Sequence, residues 1–369
     1  MTACMYLSPP LVVAEKSGVL PVVVADTLAT LVDPQTRKPI LGSETTPARF
    51  EAAEPGSTSR VHLVRKLNVH ERFAWACAGD GENIARLRKE IIHQSADLTE
   101  LERPMRRLGD IVNSLGVVSL VGAHVRGGEI NVVTPNIDRR HHRNIGMYEA
   151  TGSGAADLTA KVEGYANDLD HEDWTYVSPF YKTAGLVAAL NGTRLAEEIV
   201  GQHRNSWGGY LEWAFYTPEG WRRGPRTLNL FRFLEADEGK IIGGGNVAKC
   251  IMYEPGHDSG RILSTAPEAF REFILSPAQE AGEKPFDVEE FDWSKWTPEW
   301  VNLTIVCKVH DKVRDGKHLH TYLSRSLDMT EIEEKFEFSY KDGIVRWIFD
   351  ENWSRDLNAS LEAGLSRFE

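Results

Sequence analysis

The sequence predicts an α+β protein of stacked layers, with helices outside paired antiparallel sheets. Two observations carry this. Strand-like segments come in runs, at 2–7 with 19–25 and again at 61–67 with 73–78, and helical patterns come in pairs, from 82 with 99–115 and at 155–169 with 182–200. A doubly wound parallel sheet would need single alternation of the two.

Residues 2–7 and 19–25 are apolar and strand-like, and the connection holds Pro9-Pro10 and Lys16-Ser17-Gly18, so they read as a hairpin carrying the N-terminus. Residues 33–60 turn to Pro, Gly, Ser, Thr and Glu and read as a long exposed loop. Strand character returns at 61–67 and 73–78; Ile84, Leu87, Ile91 and Ile92 then recur at helical spacing. A second helical stretch at 99–115 is bent or restarted at Pro104. Residues 117–125 and 130–133 alternate like strands around Arg126-Gly127-Gly128, and 145–150 runs into Gly152-Ser153-Gly154 before the second helix pair. Gly208-Gly209 opens a strand at 210–216.

Beyond Gly220 the strand candidates are 228–234, 240–253, 301–309, 318–324, 336–340 and 344–349, which suggests a second, strand-rich module. The expected division is therefore 1–221 and 222–369. Gly282-Glu283-Lys284-Pro285 and the acidic residues after it read as a linker or a long surface loop.

Composition narrows the function. Forty-two Lys and Arg against 54 Asp and Glu leave a net charge of −12, which opposes attraction to phosphate backbones, so nucleic acid is not an expected partner. The apolar run at 18–25 is too short to span a bilayer and no basic signal start precedes it; no membrane association and a cytoplasmic location are expected. Four cysteines without a CxxC pair read as reduced, small buried residues. Cys4 alone lies close enough to the N-terminus to compete as a nucleophile, given a cleavage before it.

The chemistry is concentrated in the first half. A threonine hydroxyl is a weak nucleophile until a base takes its proton, and a free α-amine on the same residue can be that base. Methionine removal would expose both groups on Thr2. Lys66, ending a strand, is placed to stabilise the alkoxide, and Asp26 to hold that lysine charged and fixed. Taken singly, Asp26 also reads as a turn residue and Lys66 as a solvated sheet-edge charge. Gly79, between a strand and a helix, can aim a backbone N–H at an oxyanion or simply turn the chain. Ser153 can bond the Thr2 amine or cap the following helix. No Walker-type Lys-Ser or Lys-Thr follows the Gly-Ser-Gly, so nucleotide binding has no support and no cofactor is expected.

Residues 1 to about 221 resemble the proteasome β-type family of N-terminal nucleophile (Ntn) hydrolases. The resemblance rests on Thr2, on Val22-Val-Val-Ala-Asp26-Thr-Leu-Ala-Thr30, on Arg65-Lys66-Leu67, on Ala76-Cys-Ala-Gly79, on Gly152-Ser-Gly154 and on Trp207-Gly208-Gly209. The opening Met-Thr-Ala-Cys and Arg65-Lys66-Leu67-Asn68-Val69 are most similar to the bacterial ancestral β-subunit, Anbu, a relative of HslV. The resemblance implies a four-layer αββα sandwich, a threonine-type peptidase acting on peptide or protein substrates, and assembly into homo-oligomeric rings or related arrays. It implies the roles of Thr2 as nucleophile, Lys66 as activator, Asp26 as its support, Gly79 as oxyanion donor and Ser153 as the assistant of the amine. The spacings from Thr2 to Asp26 and from Asp26 to Lys66 are longer than the family's, so the hairpin and the 33–60 loop must bulge outward. Where the family often has an acid before its Ser-Gly-Gly, this chain has Arg204-Asn205-Ser206-Trp207, leaving Asn205 or Ser206 as substitutes.

The alternative function is a noncatalytic assembly or binding scaffold with a C-terminal recognition module. Three weaker signals lie outside these motifs. His318 and His320 with His310 have acceptable metal spacing but no Cys or carboxylate motif to complete a site, so no metal is expected. Trp293, Trp296 and Trp300 read as core instead of a partner surface, and Gly243-Gly-Gly245 reads as a bulge or a close backbone approach.

Overall fold

The computed structural model describes residues 3–8, 19–26, 60–79, 83, 84, 86, 87, 110, 112, 114, 118–126, 129–132, 139–168, 177–199, 207, 211–225, 227–253, 260–266, 269–277, 300–314, 317–328, 334–341 and 344–365. The first half contains β1 (Cys4–Ser8), β2 (Val22–Asp26), β3 (Arg60–Arg65), β4 (Leu67–His70), β5 (Phe73–Gly79), β6 (Val118–Arg126), β7 (Glu129–Val132), β8 (Arg140–His142) and β9 (Gly146–Thr151). Helices α1 (Ala155–Asp168) and α2 (Pro179–Ile199) follow, then β10 (Leu211–Thr217) and β11 (Gly220–Arg223). The second half is β12 (Thr227–Asp237), β13 (Lys240–Tyr253), β14 (Gly260–Ala266), β15 (Ala269–Pro277), β16 (Trp300–Arg314), β17 (Lys317–Asp328), the hairpin β18 (Phe336–Lys341) and β19 (Ile344–Phe349), and helix α3 (Glu351–Leu365).

Two antiparallel sheets lie face to face. The first has six strands in the order β11-β10-β2-β1-β9-β8, and the second has four in the order β4-β5-β6-β7. Successive side chains of a strand point to opposite faces, so β1 sends Cys4 and Tyr6 one way and Ala3, Met5 and Leu7 the other. Cys4 and Tyr6, with Val23, Ala25 and Ala214, pack on Leu67, Ala74, Ala76, Ala78, Val121 and Ala123 of the second sheet. The opposite face packs on Leu158 and Val162 of α1 and on Val187 and Leu190 of α2. Burial on both faces explains why β1 and β2 read as unbroken apolar runs without alternation. The outer face of the four-stranded sheet carries Trp75, Cys77 and Leu120 against Ile84, Leu87 and Val112, three of the helical positions.

Small residues set the spacing between β5 and β6. A Cβ added at Gly122, whose φ is +156°, would lie 2.4 Å from the Ala74 carbonyl oxygen and 2.6 Å from Trp75 Cα, contacts no side chain can make.

The third sheet has seven strands in the order β17-β16-β12-β13-β14-β15-β3. Six belong to the second half of the chain, but its edge strand does not: β3 pairs parallel with β15, Arg60 opposite Glu272 through Arg65 opposite Pro277. The sequence segment read as one strand at 61–67 is thus two strands in two sheets, parted at Lys66. The same sheet meets α2 through β16, β17 and β12. Helix α3 packs on β13, with Leu357, Leu361 and Leu365 buried at four-residue spacing, Ile241 N–H donating to Glu362 Oε1 (3.1 Å) and Arg232 Nη1 to Ser354 Oγ (2.8 Å).

Strands β14 and β15 and helix α3 were not predicted, because Arg, Glu and Ser interrupt their apolar residues and α3 shows only one leucine per turn. The irregularity expected at Gly243 is present, with the register of β12 on β13 shifting between Glu235 and Ala236, opposite Gly243 and Ile241. Trp293, Trp296 and most of the 33–60 loop lie outside the described residues, while Trp300 begins β16. No helix among the described residues is long and apolar enough to cross a membrane.

Substituting Gly122→Ala should lower unfolding free energy by about 1–3 kcal/mol through overpacking and backbone strain. Urea titration followed by tryptophan fluorescence measures it, and an unchanged midpoint would contradict the close β5–β6 approach.

Candidate active site

Of the predicted residues, Asp26 and Lys66 meet directly, in a region where several strand ends come together. Cys4, at the start of β1, lies opposite Ala25 of β2 and Thr151 of β9, and Asp26, ending β2, lies opposite Leu211 at the start of β10. On the facing sheet, Leu67 opens β4 opposite Ala76, and Gly79 ends β5 opposite Val118. Among the contacts that join the sheets here, the Cys4 thiol donates to the Cys77 carbonyl oxygen (3.5 Å), and Thr151 Oγ1 donates to Ser119 Oγ (2.6 Å).

Asp26 is the centre. Its carboxylate, fully buried, accepts on one oxygen, Oδ1, both the Lys66 ammonium at 2.6 Å and the Ala3 amide N–H at 3.0 Å. The Asp26 amide in turn donates to the Ala3 carbonyl oxygen at 3.0 Å. Asp26 and Lys66 are therefore not the solvated turn and edge residues of the alternative reading; Lys66 is only 3% exposed. Withdrawing two charges from water is costly, and it is offset here by a short ion pair and an added backbone donor. The Lys66 carbonyl oxygen accepts from the Cys77 amide (3.3 Å) and Asn68 Nδ2 (3.4 Å), fixing the residue at both its ends.

Thr2 lies outside the described residues. Its covalent neighbour Ala3 is bound to Asp26 by the paired contacts above. Gly79 has φ +139°, a conformation that disfavours a side chain, which accounts for glycine at the end of β5. Ser153 is exposed, between Gly152 at φ +94° and Gly154, and the Ala155 amide donates to the Gly152 carbonyl oxygen (3.1 Å) to begin α1. A Cβ on Gly154 would stand 2.1 Å from Trp207 Cδ1 and 2.9 Å from Ala3 Cβ. The second glycine of Gly-Ser-Gly is thus required by close packing.

A polar support behind this packing escaped the sequence reading. Trp207 is fully buried, its indole N–H donates to Asp157 Oδ2 (2.9 Å), and its carbonyl oxygen accepts from Arg194 Nε (3.0 Å) and Nη2 (2.8 Å). The Arg194 guanidinium also lies 5.4 Å from the centre of the Trp207 ring, within cation–π range. Asn191, one turn earlier on α2, accepts the Leu211 amide (2.9 Å), the residue opposite Asp26. Two polar residues three apart on an otherwise apolar helix face were the available signal. Asn205 and Ser206, offered as replacements for the missing acid, lie outside the described residues.

Cys4 is fully buried, and its thiol is pushed well above the ordinary range, first by burial and then by the Asp26 charge, against an opposing effect of Lys66. A buried, protonated thiol is a poor nucleophile, so Cys4 acts as packing. Among the described residues no group of His, Cys, Asp and Glu is arranged to hold a metal, and His310 Nε2 instead contacts Glu235 Oε2 at 3.0 Å.

No protein family and no curated protein matches the chain. Among solved structures it is similar to eukaryotic HslV from Trypanosoma brucei, with 13% sequence identity and a TM-score of 0.30 over 57% of this chain and 97% of that one.

Removing the acid alone should be severe. Asp26→Asn leaves the Lys66 ammonium buried without its counter-charge and should cost about 3–5 kcal/mol, whereas Asp26→Asn combined with Lys66→Met should recover much of the loss. A double-mutant cycle by calorimetry checks the coupling, and additive losses would refute it. For Cys4, iodoacetamide at pH 8 should leave its peptide unmodified in the native protein and alkylate it fully in guanidinium. Native-state alkylation of Cys4, read by peptide mass mapping, would restore it as a candidate nucleophile.

Proposed function

We propose that the first 221 residues form a four-layer αββα sandwich of the Ntn hydrolase type, and that the chain is a threonine-type amidohydrolase acting on peptide bonds. One observation carries the reading: a single buried carboxylate oxygen of Asp26 binds both the Lys66 ammonium and the amide of the residue that follows Thr2. A structural ion pair needs no such coupling to the chain's first residues.

Once whatever precedes Thr2 is removed, its α-amine takes the Oγ proton as Oγ bonds to the substrate carbonyl carbon. The Lys66 ammonium lowers the cost of the developing negative charge on Oγ and disfavours a second positive charge on the nearby amine. Asp26 fixes Lys66 without touching substrate. The Gly79 N–H stabilises the tetrahedral oxyanion, and Ser153 orients the α-amine. Collapse of that intermediate breaks the C–N bond, the leaving amine takes the proton, and water hydrolyses the remaining ester on Thr2 by the same steps. The motif resemblance adds the expectation of a cytoplasmic protein that self-assembles into a closed homo-oligomer, which light scattering on the purified chain tests.

The deciding experiment is intact mass combined with labelling. Protein beginning at Thr2 should gain one adduct from a threonine-directed electrophile, and Thr2→Ala should gain none. A retained Met1, or equal labelling of both proteins, defeats the mechanism and favours the noncatalytic scaffold. Lys66→Ala should reduce peptide turnover per folded molecule by at least about 100-fold.

A further inference from the structure

The position of Lys66 in the topology has a consequence beyond its chemistry. It is the single residue between β3, which belongs to the seven-stranded sheet, and β4, which belongs to the four-stranded sheet. On its N-terminal side the backbone is held by β15, with Val64 opposite Ser276 and Arg65 opposite Pro277. On its C-terminal side it is held by β5, with Leu67 opposite Ala76. The Lys66 backbone is therefore set by two sheets at once, one of them built almost entirely from the second half of the chain. That sheet also packs on α2, which carries Arg194 and Asn191, the residues holding Trp207 and Leu211.

We propose that strand β15 is a positioning element for Lys66: its parallel pairing with β3 holds the lysine backbone in register, making the C-terminal sheet part of the apparatus that aims the ammonium at the N-terminal residue. Parallel pairing is slightly less stable per residue than antiparallel, and β3 is paired on one side, so this junction is where the sheet can act on the site or be acted on. The geometry of a reacting group matters at the ångström scale, and a misplacement of about 1 Å can cost about 100-fold in rate. The chemical part of this inference rests on the proposed function; the mechanical part does not.

The test breaks the ladder from the far side. Leu275→Pro, opposite Leu63 in β3, is compared in the full chain with Thr321→Pro in β17 at the other edge of the sheet. Leu275→Pro should accelerate hydrogen exchange at the 64–67 amides and slow electrophile labelling of Thr2 by ~10- to ~100-fold. It should also move the labelling midpoint to higher pH, because an ammonium drawn away no longer disfavours protonation of the Thr2 amine. Thr321→Pro should change none of the three. Unchanged exchange at 64–67 overturns the pairing, and faster exchange with an unchanged labelling rate and midpoint overturns the positioning role.

If Leu275→Pro fails to fold, the pair His62→Cys and Ile274→Cys, directly opposite in the parallel register, replaces it. Mild oxidation should form the cross-link and slow exchange at 64–67, and absence of a cross-link overturns the proposal. Should the unaltered protein take no label at all, the proposed function fails on its own, and the exchange measurements still decide whether β15 holds this segment.

Discussion

One carboxylate, Asp26, fixes atom by atom how three parts of the chain meet, where strand pairing and apolar packing only bring them near. Its Oδ1 binds the first described residue of the chain and a lysine that arrives only after a long excursion. Both partners sit where water is excluded, so neither can drift without leaving a charge or an amide unpaired at a cost of several kcal/mol. The ends of β1 and β2 and the start of β4 are thereby locked to one another. A hydrophobic contact of equal area would hold the sheets together but would not specify which atom lies beside which.

The support around this pair is built from shape and from neutral or singly charged hydrogen bonds. Trp207 fills the space that Gly154 leaves open against Ala3, and Arg194 and Asp157 hold its two polar ends. Because the indole N–H and the carbonyl oxygen are each satisfied, a large aromatic can be fully buried without penalty. The arrangement sets the first residues of β1 between a buried charge pair on one side and a clamped tryptophan on the other. Ala3 is thereby held on both sides, although strand termini commonly fray.

Much of the site was legible because its residues break local expectations. An acid closing an apolar strand at Asp26, a lysine near the end of a strand-like stretch at Lys66 and a Gly-Ser-Gly before a helix each depart from the pattern around them. The paired antiparallel sheets followed from runs of strand-like residues for the same reason, since burial on both faces leaves an apolar stretch with no alternation. What could not be read depends on distance in sequence. Nothing in Arg60–Arg65 says that its backbone partner is Glu272–Pro277, because a parallel ladder leaves its signature in neither strand. Nothing local ties Arg194 and Asp157 to Trp207, since only the tertiary structure brings them to it.

The break at Lys66 joins these two observations. A lysine inside a continuous strand would alternate with its neighbours and take its position from one sheet, and a lysine in a loop would take it from none. Lys66 lies between the two strands, with pairing immediately before and after it and its carbonyl bound by the Cys77 amide of β5, so its side chain can turn into the buried carboxylate while its backbone is tethered on both sides. That combination gives a charged group the freedom to face inward with little freedom to move. It also explains why the second half of the chain cannot be regarded as attached only at its covalent link: the edge of its sheet is completed by the strand that delivers the lysine.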